Sequence, residues 1–241
     1  MVKLRKKISI TLNFFIGAFA MLGVFLSCFY APRDGYNPWY KRLLYFTQQS
    51  NIWIGVTCLV IAILSVIGIV KKKNMVKDFW YVLKFIFTIS ITITGIIFCS
   101  LLAPFAQFDI WNAASLLTHV VVPIFSILDF FVNEDIKLKK NQVWLSIIPP
   151  LCYFIYTSVL CILKVDFGRG DAFPYFFMDY HSEMGFFGFK DGIPYLGPFY
   201  WIVIILLLIL LLSWVYYAIH PQTRKERKKL KNMLKNGKNS N

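Results

Sequence analysis

Six apolar runs, each long enough to cross a bilayer as a helix, dominate this chain and decide what it can become. A helix needs about 20 mostly apolar residues to span the hydrocarbon. The runs fall at roughly 8–30, 44–70, 79–103, 113–133, 144–164 and 198–219. A membrane β-barrel would instead show alternating segments of about ten residues, and the stretch from Trp201 to Leu212 has no alternation. Composition agrees: 16% of the 241 residues are charged, against about 25% in a soluble domain, and the mean hydropathy is +0.60. Intrinsic disorder is excluded by the same figures. The expected fold is an all-α polytopic membrane protein with six transmembrane helices over 1–219, an outer loop at 165–197 and a basic tail at 220–241.

Lysine and arginine set the expected orientation, because cytoplasmic connections carry the positive excess. Lys3, Arg5, Lys6 and Lys7, then Lys71, Lys72, Lys73 and Lys77, then Lys137, Lys139 and Lys140 fall on one side, together with eight basic residues from Arg224 to Lys238. The other side holds Arg33, Lys41, Arg42, Lys164, Arg169 and Lys190, so nineteen cations face six. Both termini are expected in the cytoplasm. The net charge of +14 is then mostly orientation signal plus the tail, and a basic segment beside a helix end reads as attraction to anionic lipid, about 1 kcal/mol per Lys or Arg near the surface. Nucleic-acid binding is set aside, since no aromatic interrupts the tail after Tyr217 and no folded module carries its charges.

The first run is too long for a signal-peptide core and lacks a small-x-small cleavage site, so it is expected to remain as a helix. The five cysteines lie within the spans or at their ends, which speaks against a disulfide framework. No Cys/His cluster suggests a metal site and no cofactor motif is present. Nothing fixes an oligomeric state. The 165–197 loop is rich in Gly, Pro and aromatics, which suits a cap lying in the membrane interface; a plain structural cap and one that also shapes a substrate entrance both fit.

Polar side chains inside the membrane are costly and mark candidate functional sites. The second span opens with Thr47, Gln48, Gln49, Ser50 and Asn51; the fourth carries Thr118, His119, Pro123, Ser126 and Asp129; the third carries Lys84 and the string Thr88, Ser90, Thr92 and Thr94. Both the second and the fourth span start on the outer side, so Thr47 and His119 fall in one layer, within about 5–9 Å of the outer boundary at 1.5 Å per residue. Asn51 shares a helix face with Thr47. Pro123 cannot donate to the carbonyl of His119, which predicts either a kink that opens space beside the histidine or a packing adjustment. Lys84 sits five residues into its span and can snorkel to the interface or pair with Asp129, near the same inner boundary; the structural ion pair is preferred to a catalytic role. His220 at the end of the last helix suits the helix dipole as a cation, and no role is read for His181.

With FTQQSN at 46–51 and the spacing His119-x3-Pro123-x5-Asp129, the chain resembles the six-transmembrane bacterial proteins related to androgen-induced protein and androgen-dependent TFPI-regulating protein. The segment FPYFFMD, with Pro174, Tyr175 and Asp179, is similar to that family's element before its last span. The resemblance implies a multipass hydrolase of fatty acid esters of hydroxy fatty acids in a bacterial plasma membrane, with Thr47 as nucleophile and His119 as its partner. In the family's bacterial branch Trp usually follows the aspartate of the fourth span; here Phe130 does.

Physical chemistry makes the same pair plausible. A threonine hydroxyl is a weak nucleophile that needs an adjacent base, and histidine titrates close to neutrality. Asn51 and Gln48 are the expected amide donors to an oxyanion or to a bound substrate, and Tyr175 and Asp179 line the expected entrance. The alternative is a non-enzymatic membrane protein, either a small transporter or a lipid-binding scaffold; the inverted repeats and broken midplane helices of transporters are not evident in the sequence.

Overall fold

The structure is a computed structural model that describes residues 2–104, 110–181, 185–189, 196–225 and 232–233. Among the described residues six helices are long and apolar enough to cross a membrane: α1 (Val2–Tyr30), α2 (Phe46–Val70), α3 (Asp78–Leu102), α4 (Ala113–Val132), α5 (Lys140–Ile162) and α6 (Pro198–Ile219). They mark an integral membrane protein. Among the described residues the β pairing is limited to an isolated bridge between Phe189 and Leu196. Most of the basic tail (226–231 and 234–241), and Lys190, lie outside the described residues.

Local chemistry explains the helix ends, and three of them depart from expectation. The basic residues before the first run continue α1 instead of preceding it, since Lys and Arg are good helix formers. Trp39–Leu44 forms a separate 3-10 turn and Tyr45 is extended, so α2 begins at Phe46. Thr47 therefore stands in the first turn, where backbone N–H groups have no helical acceptor. Lys140–Ile147 winds as 3-10 helix and becomes α-helix at Ile148, directly before Pro149 and Pro150. Elsewhere the signals act conventionally: the Asn112 side chain accepts from the Ser115 N–H to cap α4, and Pro198 opens α6, where its missing N–H costs no helical bond.

α3 is the central helix. It packs on α2, α4, α5 and α6, while α1 closes the far side against α2 and α4. Lipid tails are as apolar as leucine, so packing and interhelical hydrogen bonds set the arrangement in a membrane. Ser50 and Thr94 join α2 to α3 at 2.9 Å, Thr92 and Tyr216 join α3 to α6 at 3.2 Å, and Ser146 and Ser213 join α5 to α6 at 2.5 Å.

At the end remote from Thr47, Lys84 forms an ion pair with Asp129, both side chains being 0% exposed. Lys84 thus does not snorkel; the partner on α4 makes burial possible. Asn13 of α1 completes the cluster: its Oδ1 accepts from Lys84 Nζ at 2.7 Å and its Nδ2 donates to Asp129 Oδ2 at 3.1 Å. The pair ties three helices together. His220 is buried and its Nε2 lies 3.1 Å from the Phe130 carbonyl in the last turn of α4. Burial pushes His220 below the usual imidazole value, so it serves as a neutral donor that satisfies a helix-end carbonyl and not as the cation expected from the helix dipole. Nearby, Glu134 lies between Arg5 at 2.5 Å and Lys225 at 3.0 Å, and the Lys225 hydrogen bond holds its carboxyl below the ordinary range.

At the Thr47 end, the segment after α1 and residues 165–181 after α5 close over the bundle. Lys41 meets Asp166 at 2.5 Å. Tyr36 is buried, with the Arg42 and Arg169 guanidinium groups 3.8 and 4.9 Å from its ring centroid. Gly168 has φ +117°, and a Cβ there would stand 2.2 Å from the Tyr36 ring; both the backbone conformation and the close approach demand glycine.

Candidate active site

The first turn of α2 and the start of α4 bring Thr47 and His119 together, with Oγ1 and Nε2 3.3 Å apart. Thr47 is 7% exposed. The histidine is aimed from its other nitrogen: Nδ1 lies 3.0 Å from the Ser115 carbonyl and 3.1 Å from Thr118 Oγ1. A carbonyl can only accept, so Nδ1 carries the proton and Nε2 presents its lone pair to the threonine hydroxyl. Phe98 stacks on the imidazole, the centroids 3.7 Å apart and the planes inclined by 16°.

Helix irregularity produces this aim. α4 winds as a π-helix over Leu117–Val121, and α3 does so over Phe98–Leu102. Such bulges are rare and frequent at functional sites. At Pro123 the disturbance is this π turn, and it shifts the orphaned carbonyl by one residue. In the π register the Val122 N–H reaches the Leu117 carbonyl, so the next donor in line, for the carbonyl of Thr118, would be Pro123, which has none. Asn51 supplies it from α2, its Nδ2 standing 3.1 Å from the Thr118 carbonyl and 2.8 Å from the Thr47 carbonyl. The π turn of α3 has the equivalent proline: the Ala103 N–H reaches the Phe98 carbonyl at 2.8 Å, and the next residue is Pro104, which has no N–H for the carbonyl of Cys99.

Asn51 therefore differs from the expected oxyanion donor. Its amide is spent on two backbone carbonyls, one from each helix that carries the pair, which makes it a positioning residue. Gln48 is likewise directed elsewhere, its Nε2 donating to Ser27 Oγ of α1 at 3.0 Å. Of the two loop residues expected at the entrance, Tyr175 arrives and Asp179 does not. The Thr47 N–H donates to Tyr175 Oη at 3.4 Å, which gives the unpaired first turn of α2 a partner. Asp179 Oδ1 instead accepts from the His181 N–H at 2.9 Å. His181 Nε2, in turn, lies 2.9 Å from the Cys161 carbonyl, so this residue caps the end of α5. Burial pushes the Tyr175 phenol above its ordinary value, against the opposing effect of its bond to Thr47. Asp129 and Lys84 remain at the far end of the bundle and take no part here.

Comparison with family models, with curated proteins and with solved structures returns no match. The resemblance to the androgen-induced protein family thus rests on the motif residues themselves.

Beside Thr47 lies a small apolar cavity of about 40 Å3. Thr47, Thr94 and Tyr175 are at one end, and Phe154, Ile205 and Ile209 extend it toward the middle of the bundle.

Two contacts make Gly95 a sensitive test of the geometry. A Cβ on it would lie 2.9 Å from the His119 carbonyl oxygen and 3.2 Å from the Pro123 ring, and a backbone oxygen in a helix cannot swing aside. Gly95→Ala should cost about 1–3 kcal/mol, as overpacked cores do, read as a lower midpoint of thermal unfolding in detergent. An unchanged midpoint would contradict the close approach of α3 to α4.

Proposed function

We propose that this protein is an intramembrane hydrolase of lipid esters, of the fatty-acyl ester class that the resemblance implies. The single observation that carries the reading is the Nε2 lone pair of His119 facing the Thr47 hydroxyl, with Nδ1–H committed to a carbonyl. His119 removes the hydroxyl proton as Thr47 Oγ1 attacks the ester carbonyl, and returns it to the departing alcohol. The acyl group is held on Thr47 until water, activated by the same nitrogen, releases the fatty acid.

Charge develops on the carbonyl oxygen during attack. In this site the group suited to receive it is the Tyr175 hydroxyl, kept protonated by its burial and held by the Thr47 N–H, which donates to its oxygen. It replaces the Asn51 and Gln48 amides of the sequence-based expectation. Acting where water is scarce, such a donor is worth about 10²–10³ in rate. The acyl chain lies along the apolar cavity, which at about 40 Å3 must widen to admit it. No cofactor or metal is needed for these steps.

The Thr47 end is assigned to the outer leaflet of a bacterial plasma membrane, with both termini in the cytoplasm and the basic tail resting on anionic lipid. In intact cells, a cysteine placed at position 230 should resist a membrane-impermeant thiol reagent and react only after the membrane is opened. Reaction in intact cells would invert the topology. A fluorophosphonate probe tests the chemistry: labelling at Thr47 is expected, whereas a folded protein labelled nowhere would favour the scaffold reading.

A further inference from the structure

A second hollow, of about 330 Å3, faces outward between α2 and α5. Gln49 and Trp53 form one wall; Pro149, Cys152, Tyr153 and Tyr156 form the other. It belongs to the surface that meets lipid: Cys152 is exposed, as are Leu151, Ile155 and Tyr156 beside it on α5. Tyr153 lines both this groove and the interior cavity. Phe46 lines the cavity and stacks edge-on against Tyr153 at 5.1 Å and against Trp53 at 5.9 Å. A partition of aromatic rings therefore separates the two spaces.

The helix that carries half of this partition is short of backbone bonds at that level. Pro149 lines the groove and Pro150 lines the cavity. Neither can donate to the carbonyl one turn earlier, and the segment before them is wound as 3-10 helix, whose bonds are weaker. Rings on such a wall can part with little loss of helix hydrogen bonding. Gln49 adds an amide to an otherwise apolar and aromatic groove, two residues beyond Thr47; one of its two N–H groups donates to the Leu43 carbonyl at 3.2 Å, and the other is the polar partner for an ester group at that depth.

We propose that lipid acyl chains pass sideways from the bilayer through the groove between α2 and α5 into the Thr47 cavity, with Phe46 and Tyr153 as the gate. The proposal rests on the reading of a membrane lipid as the substrate, but passage does not depend on catalysis. It also moves the entrance from the loop around Tyr175 and Asp179 to the flank of the bundle.

The test uses the full chain, carrying Thr47→Val to remove turnover, in phosphatidylcholine vesicles containing a phosphatidylcholine with a photoactivatable diazirine midway along its acyl chain. Cross-linked residues are located by mass spectrometry. Labelling is expected at Tyr156 in the groove and at Phe154 and Ile205 in the cavity. Cys152→Trp, which fills the groove from an exposed position, should reduce the interior labelling to background; Cys152→Ala should leave it intact. Leu207 and Leu211, exposed on α6, should be labelled equally in all variants and so verify insertion. Equal interior labelling in Cys152→Trp and Cys152→Ala would overturn the proposal in favour of passage through the cap. Absence of interior labelling in every variant would overturn it as well. Because Thr47→Val is present throughout, a failure of the hydrolase reading appears separately, as an unmodified lipid ester incubated with the wild-type protein.

Discussion

Thr47→Val should abolish lipid-ester hydrolysis while leaving the protein folded. Valine keeps the branched shape and removes the one oxygen that faces His119 Nε2, so the rate should drop on the order of 10⁴–10⁶-fold, the scale for losing one member of a nucleophile–base unit. His119→Ala should cost about as much, and the double variant hardly more, since the pair acts as one device. Thr47→Ser should retain part of the activity, because the chemistry needs an alcohol and the β-methyl only restricts its rotamer. Two further variants separate positioning from charge stabilisation. Tyr175→Phe should lose about 10²–10³ in kcat, and Asn51→Ala up to about 10², through misalignment of α2 and α4. Each is assayed with a lipid ester in liposomes beside a thermal-unfolding control. Full activity in Thr47→Val would end the threonine-hydrolase reading.

The second large effect belongs to the opposite end of the bundle. Asp129→Asn leaves the Lys84 ammonium buried without its carboxylate, and Lys84→Met leaves the carboxylate without its cation. Either should destabilise the protein by about 3–5 kcal/mol, which for a chain of this size lowers the unfolding midpoint on the order of 10 °C. The paired change Lys84→Met with Asp129→Leu removes both charges at similar volume and should recover most of that loss, since replacing a buried ion pair by apolar groups is often neutral or stabilising. The double-mutant cycle isolates the coupling. Additive losses in the paired variant would show that the two residues act independently, against the geometry of α3, α4 and Asn13.

Much of this molecule was legible in its residues. The six spans followed from run length alone, because the hydrocarbon thickness sets a single length scale that any crossing helix must meet. The shared depth of Thr47 and His119 followed from counting residues inward from the membrane boundary, since the rise per residue is constant. The pairing of Lys84 with Asp129 was foreseeable because each charge needs a partner in lipid. Asn13 was missed, although a lone asparagine in the middle of an apolar run is the same kind of signal and deserved the same weight.

Rotation, register and partner choice were decided elsewhere. Depth does not say which way a side chain points about its helix axis, and that angle came from the π turns of α3 and α4 and the packing of Gly95 against the His119 carbonyl. Those depend on neighbouring helices that a linear pattern does not identify. Asn51 and Gln48 looked like free amides; their assignments were settled by a carbonyl that Pro123 orphaned on α4 and a hydroxyl on α1. Tyr175 reached Thr47 because α2 starts later than its apolar run, which left an unpaired N–H for the loop to meet. The sequence by itself determined how many helices there are, how long they are and how deep each polar group lies, because those follow from one-dimensional lengths. Only the tertiary structure decided which groups face one another and which cavities open between them, because hydrogen-bond donors and ring contacts are shared across helices and are satisfied collectively.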